Sequence, residues 1–202
     1  MKRFLAILLM TLGLSLSLSA QEHTKRPPTA PTTPAARPTP TARPTPAPTP
    51  NDGDNSGWVR FNSVTGRFTV LMPDTPEDKA ETTQSEHGPY TTHLFIVRDT
   101  KNIYLIGWVD YDPSFNFNRQ AELEANRDNF VKGISATLTS TRAFTIDGYS
   151  ALEFTADTPD RTFKSRVYMV GRRPYQIVIG YPKDEPDALA TNRFFNSFKV
   201  SP

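Results

Sequence analysis

Apolar and polar side chains alternate most clearly between Arg161 and Tyr181. A period of two is typical of β-strands, because successive side chains point to opposite faces of a sheet. The apolar positions are Phe163, Val167, Met169, Tyr175, Ile177, Ile179 and Tyr181. Other apolar residues, such as Tyr168 and Val178, fall on the opposite face. This pattern predicts two central strands that are covered on both sides.

The same period and the turn residues between its occurrences predict nine strands. They are residues 58–62, 67–72, 79–86, 90–98, 103–111, 137–146, 149–157 and the two strands of the 161–181 stretch. The strand at 79–86 is polar and is predicted to lie at an edge. Nearly all strand connections are short, which requires antiparallel pairing.

Two segments have helical spacing instead. Phe117, Leu123 and Phe130 recur in a charged stretch, which predicts a helix from about 117 to 132 with Asn116 or Asn118 as its N-cap.

A second helix is predicted to begin at Asp184, with Pro186 in its first turn. Its expected buried side chains are Leu189, Phe194, Phe195 and Phe198. The predicted fold class is α+β, an antiparallel β-sheet flanked by two main helices.

The N-terminal segment has the pattern of an export signal. Lys2 and Arg3 precede an uncharged apolar run over 4–18, and Ser19 and Ala20 are small. The run is shorter than the roughly 20 residues that a spanning helix needs. Residues 1–20 are therefore predicted to be a cleaved signal peptide, with a retained membrane anchor as the alternative. The expected location is exported, either periplasmic or extracellular.

Residues 21–56 form a Pro/Thr-rich tract that we predict to be a disordered linker. Ten of the 19 prolines lie between Pro27 and Pro50, a composition that cannot bury a core. A six-residue repeat spaces Arg37 and Arg43 so that a cationic stripe could contact anionic cell-wall polymer or lipid. The simpler interpretation, a soluble spacer, is favoured. Residues 57–202 then form the single folded domain.

The net charge argues against a nucleic-acid partner, and the absence of cysteine excludes disulfides and lipid-modified cysteine. The formal net charge is +2, from 23 Lys and Arg against 21 Asp and Glu, and removal of Lys2 and Arg3 with the signal makes the charges equal. A neutral chain lacks the basic surface that nucleic acid requires. The chain has no cysteine, so it can form neither a disulfide nor a lipid-modified cysteine.

Several motifs within 58–202 carry a resemblance to a known fold group. They are Trp58 with Phe61-Asn-Ser63, GRFTVLMP over 66–73, RVYMVG over 166–171, Tyr175-Gln176 and RFFNSFK over 193–199. Together they resemble exported bacterial domains of the PsbP-like group. The resemblance implies an antiparallel sheet flanked by helices, and a role as a binding partner or accessory subunit, not as an enzyme. The chain differs from photosystem PsbP in its N-terminal region and has no recognisable metal-site histidines.

No residue pattern indicates a catalytic, cofactor or metal site. His87 and His93 lack an evident third ligand, and Asp110 and Asp112 are typical of a solvated strand end. The chain contains no Gly-x-Ser-x-Gly motif and too few glycines for a phosphate-binding loop. We therefore predict no catalytic residues, no metal and no cofactor.

Loop lengths predict one specific charge cluster. Four loop residues between the strands at 149–157 and 162–170 place Glu153 opposite Arg166, and the two-residue Asp147-Gly148 turn places Arg142 opposite Glu153. Arg142, Glu153 and Arg166 are thus the candidate binding residues. They form either a cross-strand charge ladder, the favoured interpretation, or an anchor for an anion or ligand.

Two functions of different classes remain. The first is a non-catalytic module of the cell envelope, carried on the Pro-rich stalk, that recognises another envelope protein or a cell-wall component. The alternative is a carrier of a small ligand or lipid in a pocket between sheet and helices. A monomer is expected, with membrane contact only through an uncleaved signal.

Overall fold

The computed structural model describes residues 57–86, 88–116 and 118–201. The predicted signal peptide (1–20) and linker (21–56) lie outside the described residues, as do His87 and Phe117. Those two segment assignments therefore remain predictions.

The described residues contain ten strands and two helices. In chain order they are β1 (Val59–Ser63), β2 (Phe68–Met72), β3 (Glu77–Ser85), β4 (Gly88–Arg98), β5 (Ile103–Tyr111), α1 (Arg119–Gly133), β6 (Thr137–Ile146), β7 (Tyr149–Asp157), β8 (Arg161–Val170), β9 (Arg173–Pro182), α2 (Ala188–Ser197) and β10 (Lys199–Val200). The nine predicted strands are confirmed. β10 was not predicted, because two residues are too few to show an alternating pattern.

The strands form two antiparallel sheets, whereas one sheet was predicted. The large sheet has the order β3-β4-β5-β9-β8-β7-β6, and β1, β2 and β10 form a separate sheet with β2 in the middle. The α+β class is correct, but the layer arrangement needs this correction. Alternation within a strand shows which residues share a face, not which sheet the strand joins.

The large sheet is covered on both sides, as predicted for its central strands. We call its two sides the α1 face and the small-sheet face. On the α1 face, Phe130 packs against Phe154 and Phe163 at ring-centroid distances of 5.8 and 6.0 Å. The small sheet and α2 cover the other face, where Phe68 contacts Trp108 and Tyr175. Each central strand consequently buries both of its faces.

The first helix begins as predicted. The Asn118 side chain accepts hydrogen bonds from the backbone N–H groups of Gln120 and Ala121 at 2.9 and 3.2 Å. This N-cap satisfies two of the donors that a helix start leaves unpaired. No helix in the described part of the chain is long and apolar enough to cross a membrane.

The start of the second helix was predicted wrongly. α2 begins at Ala188, and its N-cap is Asp187, which accepts from the N–H of Ala190 at 2.9 Å, instead of Asp184. Pro186 disfavours helical geometry at the residue before it, so the helix starts only after the proline. Leu189 consequently faces solvent, with 80% of its surface exposed, instead of the core.

The two sides of α2 should differ sharply in their contribution to stability. Phe195 is 2% exposed, so we expect Phe195→Ala to lower the free energy of unfolding by about 3–5 kcal/mol. The matched control Leu189→Ala should change it by less than about 0.5 kcal/mol. Urea unfolding of the two variants measures both values, and equal losses would contradict the orientation of α2.

Candidate functional site

The predicted register of β6, β7 and β8 is confirmed. Arg142 pairs with Glu153 across β6 and β7, and Glu153 pairs with Arg166 across β7 and β8. The β6–β7 turn contains Asp147 and Gly148 at φ values of 51° and 80°. Positive φ at both positions is the geometry of a type I′ turn, which matches the twist of the strands that it joins.

A β-bulge in β6 leaves this register intact. The irregularity lies between Leu138 and Ser140, where Ser140 pairs with Thr155. From Ser140 to Ile146 the pairing with β7 is continuous, so Arg142 lies between the bulge and the turn. The bulge therefore shifts only the beginning of the strand.

The two arginines bind the Glu153 carboxylate unequally. Arg166 Nε donates to Glu153 Oε2 at 2.7 Å, and these side chains are only 18% and 15% exposed. Arg142 Nη2 donates to Glu153 Oε1 at 3.3 Å, and its side chain is 68% exposed. The inner pair is thus a short charge-assisted hydrogen bond, while the outer pair is a solvated contact of small energy.

Two aromatic rings fix the position of the guanidinium groups. The guanidinium carbon of Arg166 lies 4.6 Å from the ring centre of Phe195 on α2. The Phe144 ring lies within cation–π distance of both Arg142 and Arg166, at 5.4 and 5.8 Å. The cluster therefore connects the end of the large sheet to α2.

The carboxylate of Glu153 is ionised at neutral pH. Burial raises its pKa, but the hydrogen bond and charge of Arg166 outweigh that effect, and Lys164 and Arg142 add to it, so the pKa lies below its ordinary value. One carboxylate between two guanidinium groups leaves a net positive charge, most of it presented by the exposed Arg142.

A second polar cluster surrounds Asp110. Its carboxylate accepts hydrogen bonds from Arg173 Nε at 2.7 Å and from Trp108 Nε1 at 3.3 Å, and it lies 3.3 Å from His93 Nε2. Burial raises the pKa of Asp110, but His93 and Arg173 outweigh this effect and hold the pKa below its ordinary value, so the group is ionised at neutral pH.

This cluster attaches the small sheet to the large one. Arg173 Nη1 donates to the backbone oxygen of Thr65 at 3.1 Å, and the Tyr175 hydroxyl donates to that of Gly66 at 2.8 Å. Both oxygens belong to the β1–β2 turn. The Asp110 carboxylate therefore has a structural role, in holding Arg173 against that turn.

Asp112, the other acidic residue at the end of β5, accepts hydrogen bonds from a residue nearby in the chain. Asp112 Oδ1 accepts from the backbone N–H and the hydroxyl of Ser114 at 2.9 and 2.7 Å, which closes a turn after β5. Among the described residues, no three His, Asp or Glu side chains are close enough to hold a metal ion.

The sequence did not indicate one buried carboxyl group, Glu122. It lies on the inner side of α1, accepts from the Tyr111 hydroxyl at 2.5 Å and accepts from Asn126 Nδ2 at 3.0 Å. Burial, followed by the charge of Glu122, raises the pKa of Tyr111. A glutamate in a charged helix is ordinarily solvated, so only the tertiary contact reveals its position.

Removal of the Glu153 charge should give a pH-dependent loss of stability. We expect Glu153→Gln to lower the free energy of unfolding by about 1–3 kcal/mol at pH 7. Because the folded-state pKa is depressed, this stability is present above the unfolded pKa of about 4.3 and is lost as the pH falls through the lower folded value.

Urea unfolding at pH 7 and at several values below 4 tests the effect. The exposed control Glu81→Gln should change stability little at either pH. A Glu153→Gln deficit that is independent of pH would show that shape, not charge, determines the contribution of this side chain.

Comparisons with known proteins concern the fold. No protein-family profile and no curated protein matches the chain. The solution structure of cyanobacterial PsbP (CyanoP) from Synechocystis sp. PCC 6803 is similar, with a TM-score of 0.50 and 12% identity over 74% of this chain and 98% of that one. A crystal structure from Bacteroides thetaiotaomicron VPI-5482 gives a TM-score of 0.35 and 14% identity over 71% of this chain and 48% of that one. The similarity to CyanoP shows a PsbP-like fold over about three quarters of the chain, as the sequence motifs predicted.

Proposed function

We propose that this protein is an exported, non-catalytic accessory module that recognises a protein partner in the cell envelope. The proposed contact surface is the β6 end of the large sheet, around Arg142. The main support for this surface is that Arg142 is 68% exposed, while its partner Glu153 is also bound by Arg166. The cluster thus presents one guanidinium group in a defined position to solvent.

The arrangement suits recognition because the exposed charge is preorganised. Arg142 contacts Phe144 and the Glu153 carboxylate, and both belong to paired strands. A planar guanidinium can donate further hydrogen bonds to a carboxylate of a partner. Holding the side chain in place before binding reduces the entropy that binding would otherwise cost.

The polar clusters described above support a non-catalytic role. Asp110 holds Arg173 against the β1–β2 turn, Glu122 is bonded to Tyr111 and Asn126, and Glu153 is bonded to two arginines. Each carboxylate thus has a structural partner. The PsbP-like fold is consistent with an accessory module.

The N-terminal sequence supports export and presentation on a stalk. An apolar run after Lys2 and Arg3 has the pattern of a signal peptide, and the prolines between Pro27 and Pro50 favour extended chain. At about 3.1 Å per residue in polyproline II, the tract could hold the domain roughly 75 Å from an anchor point. No specific observation on the described residues favours the alternative, a lipid or small-ligand carrier.

Charge reversal at Arg142 should weaken partner binding without unfolding the domain. Residues 21–202 are immobilised and exposed to the envelope fraction of the source organism, and bound proteins are quantified by mass spectrometry. We expect Arg142→Glu to reduce recovery of the specific partner by about tenfold, equivalent to the loss of one charged contact.

The matched control is Arg60→Glu, at an exposed position of β1 in the small sheet, and this variant should retain the partner. Equal recovery by both variants would place the binding surface elsewhere. Enrichment of a lipid, with no protein dependent on Arg142, would favour the carrier function instead.

A further inference from the structure

The large sheet ends in two edge strands of different character. β3 lies at one edge and β6 at the other, and each pairs with only one neighbour among the described strands. Edge strands expose unpaired backbone groups that another chain can use, and charged side chains commonly block such pairing. β3 contains four charged residues, Glu77, Asp78, Lys79 and Glu81. β6 contains a single one, Arg142.

The pairing of β6 shows which backbone groups face outward. Ile146 and Tyr149 flank the two-residue turn, so their backbone groups bond to each other across the hairpin. Bonded and non-bonded pairs alternate along an antiparallel ladder. Thr141, Ala143 and Thr145 consequently direct their N–H and C=O groups away from β7.

The outer edge of β6 is also accessible. Every residue from Thr137 to Ala143 is exposed. The strand is ten residues long, and its pairing with β7 is regular from Ser140 onward. A regular ladder with outward backbone groups is the requirement for strand addition by a peptide.

Arginines lie on both sides of this edge, and the one on the α1 face is paired with Asp128 while Arg142 retains the net positive charge of its cluster. Arg142 projects on the small-sheet face, where it contacts Phe144. On the α1 face, Arg127 Nη1 donates to the Thr141 hydroxyl at 3.3 Å, while its Nε bonds to Asp128. The β3 edge, with three acidic residues and one lysine, has the opposite net charge. Acidic side chains are thus favoured at β6 and disfavoured at β3.

We propose that β6 binds an extended acidic segment of the partner protein, which adds to the large sheet as an eighth strand. This inference rests on the proposed function and specifies the partner chemistry at the same surface. Backbone bonds to Thr141, Ala143 and Thr145 supply the pairing, and a carboxylate opposite Arg142 supplies selectivity.

A defined peptide tests the mode of binding. The probe is an eight-residue synthetic peptide of alternating Glu and Val with blocked ends, titrated into residues 21–202. Hydrogen exchange measured by NMR should slow by about tenfold or more at the amides of Thr141, Ala143 and Thr145. Amides of β3 should exchange at their original rate.

Two matched proline variants separate the edges. Ala143→Pro removes one outward N–H of β6 and leaves the ladder to β7 intact, since proline is tolerated at edge positions that face solvent. We expect it to weaken peptide binding about tenfold. Bonded pairs alternate from the Ser85–Gly88 pair next to the β3–β4 turn, so the N–H of Ala80 also points outward. Ala80→Pro therefore makes the same change on β3 and should leave peptide binding unchanged.

A change in the peptide gives a readout that does not depend on the folding of a variant. N-methylation of alternate residues along one edge of the peptide removes its backbone donors and keeps its side chains, so affinity should fall. The proposal would be overturned if the methylated peptide, or a peptide with Lys in place of Glu, bound as tightly as the original peptide. It would also be overturned if the two proline variants lost the same amount of affinity. Absence of peptide binding, or concentration-dependent protection of β6 by a second copy without peptide, would have the same consequence.

The outcomes also distinguish this inference from the proposed function. An envelope partner that depends on Arg142, together with no protection of β6 by the peptide, would refute strand addition and retain the accessory role. Loss of both results would refute both.

Discussion

The pairing of one mostly buried carboxylate with arginines on both neighbouring strands favours a single register for β6, β7 and β8. Glu153 lies between Arg142 and Arg166, on the opposite face from Leu152 and Phe154. A slip of one residue in β7 would move Glu153 onto the apolar α1 face and remove Leu152 and Phe154 from their packing against α1. The cost of an unpaired buried charge and the loss of apolar burial act together, so a single pairing is strongly favoured.

The same constraint gives the two arginines different roles. Arg166 is nearly buried, packs on Phe195 and neutralises Glu153, whereas Arg142 lies at the edge strand and remains largely in water. The inner pair contributes to the fold, and the outer residue is available for recognition. On the opposite part of the same face, Asp110 and Arg173 connect the small sheet to the large one.

Local patterns predicted those features that depend on neighbouring residues. Strand positions, the Asn118 cap and the Glu153 register follow from alternation, capping chemistry and loop length, all of which act over a few residues. The separate small sheet did not follow, because the pairing of β10 with β2 joins residues that are far apart in the chain. The inward position of Glu122 and the outward position of Leu189 depend on how each helix rotates against the sheet. Packing determines that rotation, and a short sequence pattern does not contain it.

Double-mutant cycles at Glu153 measure the unequal contributions of the two arginines. Unfolding free energies of the single and double variants, with Glu153→Gln, Arg166→Gln and Arg142→Gln, give the two coupling energies. We expect about 1.5–3 kcal/mol for the inner pair with Arg166 and about 0.2–1 kcal/mol for the outer pair with Arg142. An outer coupling as large as the inner one would contradict this division of roles, because Arg142 would then be committed to Glu153 as strongly as Arg166 is and could not exchange that contact for one with a partner.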